Sequence, residues 1–231
     1  MRSAILYDLD GTIVNTDPLH YQAWQELLQG YDLEIDQEFY LSRMSGRLNP
    51  DIVQELLPEL PLEAVQEFSD RKEARFRELA PNLLPLPGLL DVIAWGNTHG
   101  CKQAVVTNAP RINAEYMLKV LHLQDKFDFV AIAGEIGIPK PNPAPYQYIL
   151  NRFGLNPECA LAFEDSPSGM CAAVGAGIPT VGIASTQEPS KLYDLGAVLV
   201  IPDFTDSRLW ELLESDSVGL KNKAIAANGG A

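Results

Sequence analysis

The sequence predicts an α/β protein, a parallel sheet with helices on both faces, plus a small all-helical segment inserted after the first strand. Three observations predict it. Short apolar runs alternate with stretches of helical period along most of the chain. Residues 17–82 break that rhythm, carrying amphipathic patterns and no strand-like run. Acidic and hydroxyl residues gather just after several apolar runs, where the carboxyl ends of parallel strands present ligand sites.

The first run, residues 3–7, is apolar and partly β-forming, and it stops at the acidic turn Asp8-Leu9-Asp10-Gly11-Thr12 as a buried parallel strand would. Helical periodicity follows over residues 19–28, 51–57 and 63–79. Residues 80–88 hold three prolines and a glycine, which suits a stiff return linker. Further strand-like runs lie at 103–106, 129–133, 160–163, 180–184 and 198–201. The expected organisation is a core over 1–16 and 83–218, a helical cap over 17–82, and a frayed tail over 219–231, which has little apolar content.

Bulk composition narrows the function classes. The chain has 231 residues, enough for one α/β core with a modest insertion. No run of about 18 apolar residues occurs, so a membrane span is not expected. The opening residues turn acidic before a signal-peptide core could develop, and Cys101, Cys159 and Cys171 have neither disulfide-framework nor zinc-site spacing. A cytoplasmic protein with reduced thiols is expected, with a monomer as the default. A formal net charge of −14 repels nucleic-acid backbones and anionic lipid alike. A phosphorylated small molecule would need local positive charge to bind.

Four segments can supply that site. Asp8 and Asp10 are two apart on extended chain, so both carboxylates can face one pocket, one attacking while the other handles protons. Taken alone, the same turn could be a solvated acidic loop or part of a calcium site. Thr107 and Asn108 end the second strand before Pro110 and a helical stretch, where they could hold phosphate oxygens or simply cap the helix. Lys140 sits in Pro139-Lys140-Pro141, a stiff setting for a charge that neutralises nucleophile and phosphoryl group; an exposed loop lysine is the plain alternative. Glu164 and Asp165 end another strand, and adjacent carboxylates repel unless a cation lies between them. Magnesium prefers such hard oxygen ligands, so Asp8, Asp165 and a backbone carbonyl could suffice beside a phosphate oxygen, with Asp10 and Glu164 as further candidate ligands. An acidic helix N-terminus explains one acid of the Glu164-Asp165 pair better than both.

Together these segments resemble the haloacid dehalogenase-like superfamily over nearly the whole chain up to about Asp206, and in particular its β-phosphoglucomutase-like branch. The finer likeness lies in Asp17-Pro18-Leu19-His20-Tyr21-Gln22-Ala23-Trp24, Ser45-Gly46-Arg47 and Asp70-Arg71-Lys72. The resemblance implies a Rossmann-like core and a mobile cap that closes over substrate. It implies Asp8 as nucleophile, Asp10 as general acid/base, Thr107 and Lys140 as stabilisers of phosphate and intermediate, and Asp165 as a Mg2+ ligand with Glu164 beside it. His20 and Trp24, four apart on one helix, and the cap cations Arg47 and Lys72 become candidate substrate-binding residues. Each also has an ordinary reading as cap packing or a solvated helix charge.

Two departures from the mutases tilt the expectation toward hydrolysis. Asn49 stands where they carry a phosphate-binding arginine, and Thr12 stands where they carry valine. The expected function is a Mg2+-dependent phosphatase of small phosphomonoesters, sugar phosphates included. A β-phosphoglucomutase is the alternative, with a phosphonoacetaldehyde hydrolase using a Lys72 Schiff base, or a silent phospho-ligand binding protein, behind it.

Overall fold

The computed structural model describes residues 2–215; the expected tail over 219–231, and the last residues of the expected core, lie outside them. Strand β1 (Ala4–Tyr7) leads into four helices, α1 (Asp17–Leu28), α2 (Gln37–Arg43), α3 (Asn49–Leu56) and α4 (Leu62–Leu79). Helix and strand then alternate through α5 (Leu89–Thr98), β2 (Lys102–Thr107), α6 (Arg111–Val120), β3 (Phe129–Ile132), α7 (Ala133–Ile136), α8 (Ala144–Phe153) and β4 (Ala160–Glu164). The chain continues through α9 (Pro167–Gly175), β5 (Thr180–Ile183), α10 (Pro189–Asp194) and β6 (Leu199–Ile201). The strands form one six-stranded sheet in the order β3-β2-β1-β4-β5-β6. Every pairing is parallel. Each predicted strand exists, within two residues at its ends.

Alternation along the strands builds two unlike faces. Ile5, Tyr7, Val105, Leu161 and Phe163 project into a core with Val92 and Ile93 of α5 and Met117 and Leu118 of α6. Ala4, Leu6, Ala104, Val106, Ala160 and Ala162 face the other way, onto Tyr146 and Ile149 of α8 and Ala172 and Ala173 of α9. The alanines on this second face let α8 and α9 approach the sheet closely. Both faces being covered explains why the strands read as unbroken apolar runs rather than alternating ones.

The four helices between β1 and β2 have a core of their own. Trp24, Leu28, Tyr40, Met44, Ile52, Val53, Val65 and Phe68 pack together, with the Trp24 ring stacked on Phe68 at a centroid distance of 5.6 Å. Truncating Trp24 to alanine would cost about 3–5 kcal/mol as a large buried side chain. Helix α2 was not expected from the sequence. It buries only Tyr40, so it leaves almost no apolar period to read, although Asp36 caps it by accepting from the Phe39 N–H at 2.7 Å. Among the described residues no helix is long and apolar enough to cross a membrane.

Candidate active site

The parallel sheet brings the carboxyl ends of β1, β2 and β4 side by side, and the predicted residues follow directly. Asp8 continues β1, its N–H donating to the Phe163 carbonyl of β4 at 3.0 Å. Thr107 ends β2 and Glu164 ends β4, with Asp165 next. Lys140 arrives from the loop between α7 and α8. Its Nζ donates to Asp8 Oδ1 at 2.5 Å and to Glu164 Oε1 at 2.8 Å, and all three groups are buried. The tightly placed lysine is thus internal, not an exposed loop charge.

The turn after β1 is shaped around Asp165. Gly11 has φ +83°, and its N–H donates to the Val14 carbonyl at 2.7 Å. A Cβ at Gly11 would lie 2.0 Å from Asp165 Oδ2, so any other residue would evict that carboxylate. Thr12, fully buried, donates through Oγ1 to Asp165 Oδ1 at 3.1 Å, and Thr186 donates to Asp165 Oδ2 at 3.3 Å. Gly169 does for Glu164 what Gly11 does for Asp165, since a Cβ there would meet Glu164 Oε2 at 1.8 Å.

Asp8, Glu164 and Asp165 each offer an oxygen within 4.8 Å of the others. Three buried carboxylates share one lysine, an unbalanced charge in a medium that penalises it. Burial pushes the Asp8 carboxyl up; Lys140 draws it back and Glu164 adds to the rise, leaving it at about 7. Burial, then Asp8 and Glu164, push Asp165 well above the carboxylate range. Glu164 Oε2 is buried without a hydrogen-bond partner, while its Oε1 also accepts from the Tyr146 hydroxyl at 2.6 Å. A hard divalent cation answers both the excess charge and the orphaned oxygen, so this group fits a magnesium-type ion. The Asp10 carboxylate stands outside the group of three.

Asp10 Oδ1 accepts from the Thr16 hydroxyl at 2.7 Å and lies 3.3 Å from His20 Nε2. Burial pushes Asp10 up, but hydrogen bonds from His20 and Thr16 and the nearby charge of Lys72 outweigh it and hold the carboxyl below its usual range. Lys72 Nζ is 2.7 Å from His20 Nδ1. An ammonium can only donate, so the imidazole proton sits on Nε2 and points at Asp10. Lys72 also donates to Glu73 Oε1 at 2.9 Å, and Glu73 accepts from the amides of Asn49 and Asn113. A continuous polar line therefore runs from Asp10 through α1 and α4 to α6.

The remaining predicted residues take mixed positions. All of them line a cleft of ≈ 290 Å³ together with Asp8, Asp10, Lys140 and Asp165. Thr107 Oγ1 accepts from the Ala109 N–H at 2.9 Å, a local turn at the strand end. The Asn108 amide is engaged twice by the Lys140 main chain, at 3.1 and 3.0 Å, so it braces the lysine loop. Trp24 belongs to the helical core and shows one edge to the cleft. Arg47 pairs with Glu55 at 2.8 Å and donates to the Arg43 carbonyl at 2.6 Å. Sequence reasoning passed over Thr16, Glu73, Asn113 and Tyr146. Only Tyr146 had a local signal, its place one turn into the helix that follows the Lys140 loop; Glu73 and Asn113 meet across 40 residues, which no short pattern encodes.

The chain is 27% identical over 202 residues to the phosphorylated carbohydrates phosphatase of Thermotoga maritima, covering 86% of this chain and 93% of that one. It is 32% identical over 185 residues to the fructose-1-phosphate phosphatase YqaB of Escherichia coli, covering 78% and 96%. The crystal structure of CbbY from Rhodobacter sphaeroides in complex with phosphate superposes with a TM-score of 0.76 at 27% identity, covering 89% and 96%. The family model described as haloacid dehalogenase-like hydrolase matches residues 5–183, and the chain belongs to that family.

Proposed function

We propose that the protein is a Mg2+-dependent phosphatase of small phosphomonoesters, sugar phosphates foremost, working through an aspartyl phosphate on Asp8. The observation that carries this reading is the division of labour between two carboxylates two residues apart. Asp8 is held against Lys140 within the acid triplet, and Asp10, in the same cleft, is held by Thr16 and His20. The names of the phosphatases of T. maritima and E. coli point to the same substrate class.

In the first step an Asp8 oxygen forms a bond to phosphorus as the bond to the leaving oxygen breaks. Asp10 gives its proton to that oxygen. Asp10 is held ionised in the free site, and the arriving phosphate dianion is the charge that raises its affinity for the proton it delivers. Lys140 screens the charge shared between Asp8 and the phosphoryl oxygens, and the Thr107 hydroxyl, which lines the cleft, would donate to those oxygens. Asp8 and Asp165, with Glu164 behind them, would hold Mg2+, which when bound supplies charge stabilisation to the phosphoryl group. In the second step Asp10 takes a proton from water, whose oxygen attacks phosphorus and releases Asp8 and inorganic phosphate. Residues 17–82, closing over the cleft as a cap, would exclude bulk water and admit the substrate.

Asn49 argues against a mutase, because its amide binds Glu73 where a second phosphate would need a cation. Lys72, paired with His20 and Glu73, is not the free amine that Schiff-base chemistry needs. The test is phosphate release from fructose 1-phosphate and a panel of sugar phosphates, with Mg2+ and with chelator. Metal-dependent release is expected, and Asp8→Asn abolishes it. Accumulation of glucose 6-phosphate from β-glucose 1-phosphate and a trace of bisphosphate, without free phosphate, would overturn the reading.

A further inference from the structure

The half of the cleft beyond Asp8 and Lys140 is formed by α1, α3 and α4 and the loops around them, and it has two cations, Arg47 and Lys72. Both are already paired. Arg47 lies 2.8 Å from Glu55, and Lys72 lies 2.9 Å from Glu73. Asp17, Asp70 and Glu73 line the same half, so its local field is negative although a phosphate must enter nearby. Glu73 is the buried member. Its oxygens take Lys72, Asn49 and Asn113, an arrangement that fixes the carboxylate in place and spends the one buried cation of the region. Burial pushes Glu73 up, but Lys72, His20 and the Asn49 amide outweigh it and keep it ionised.

A second anionic group on the leaving side of a substrate would meet this field in a partly dehydrated space, where like charges repel strongly. A hydroxylated, uncharged group would instead find acceptors in Asp17 and Asp70 and an amide in Asn49. We infer that the cleft selects phosphomonoesters with an uncharged, hydroxylated leaving group and rejects those bearing a second phosphate or carboxylate, and that Glu73 sets this selectivity by occupying Lys72. The inference rests on the phosphatase reading of the Asp8 site. Specificity here comes from an element that repels the wrong substrate as much as from contacts with the right one.

The experiment compares kcat/KM for fructose 1-phosphate and fructose 1,6-bisphosphate in the Mg2+-loaded wild-type enzyme, in Glu73→Gln and in Asn49→Arg. The ratio is the readout, because any disturbance of the Lys72–His20–Asp10 line affects both esters alike. Wild type is expected to favour the monophosphate by at least about tenfold, as a like-charge penalty of this kind would give. Glu73→Gln, which frees Lys72, and Asn49→Arg, which adds a cation from another helix, should each narrow the ratio by several-fold. A wild-type enzyme that takes both esters equally well overturns the selectivity, whatever the variants do. A ratio unmoved in both variants overturns the role of Glu73. Absence of phosphate release from either ester in wild type would instead sink the phosphatase reading itself.

Discussion

The Thr12 hydroxyl donates to Asp165 Oδ1 at 3.1 Å, tying the turn after β1 to the end of β4. In the sequence Thr12 was a hint that the phosphoryl group goes to water. In the fold its oxygen is committed to a carboxylate of the acid triplet, so its effect is on how that carboxylate is held. Thr12→Val keeps the shape and deletes the bond, a loss of about 1 kcal/mol. The Mg2+ concentration for half-maximal activity should rise about fivefold. A Mg2+ titration of both proteins checks this, and an unshifted midpoint would show that the hydroxyl does not orient Asp165 for metal.

Lys140 is the only cation touching Asp8 and Glu164 among the described residues, at 2.5 and 2.8 Å. Lys140→Met leaves two buried carboxylates facing each other, an uncompensated charge worth about 3–5 kcal/mol of stability in the metal-free protein. Phosphate release should fall by about a hundredfold or more, as when a preorganised charge stabiliser is removed. Denaturant melts and steady-state assays on one preparation separate the two effects.

In the metal-free protein the raised Asp8 and Asp165 carboxyls give a stability that depends on pH in an unusual direction. Because the native state holds these protons more tightly than the unfolded chain, it binds more protons above the ordinary carboxylate range, up to about 7 in the case of Asp8. Stability is therefore highest at the acidic end of that window and falls as pH rises through it. Mg2+ neutralises the same oxygens and should flatten the slope while raising the midpoint, by about 2.7 kcal/mol at a hundredfold excess over Kd. Unfolding midpoints at pH 5 and 8, with chelator and with Mg2+, decide it; a chelated protein more stable at pH 8 would contradict the charge assignment.

His20 presents Nε2 to Asp10 because Lys72 occupies Nδ1. Its N–H and the hydrogen bond it makes chiefly hold Asp10 below its usual range against burial. His20→Ala removes them, so Asp10 should gain its proton at higher pH. The acidic limb of aspartyl-phosphate hydrolysis, followed in single turnover, is expected to move up in pH. If the rate drops with the limb in place, His20 acts on cap geometry and not on Asp10.

The strands were legible because both faces of the sheet are buried, which makes 3–7, 103–106 and 160–163 short apolar runs with abrupt polar ends. Helices α1, α3 and α4 showed through their amphipathic period, and α2 did not because only Tyr40 is buried. Asp8, Thr107, Lys140 and Asp165 stood out as chemistry placed just after strands or between prolines, a signal confined to a few adjacent residues. Arg47 and Lys72 were legible as cations but not as paired ones: Glu73, although the next residue after Lys72, is fixed by Asn49 and Asn113 only once α3 and α6 pack on α4.

The sequence by itself determined which residues are candidates for the chemistry and that Asp8, Thr107 and Asp165 follow neighbouring strands, because strand burial and turn chemistry are local properties of the chain. Tertiary structure alone decided what each group is paired with. Only the parallel register of β1 and β4 sets Asp8 beside Glu164 and Asp165, and only the packing of α4 on α1 and α6 brings His20 to Lys72 and Asn113 to Glu73. Charge balance in a buried site depends on distances of a few ångströms between residues far apart in the chain, and Coulomb energy at such distances is what folding, not order along the sequence, controls.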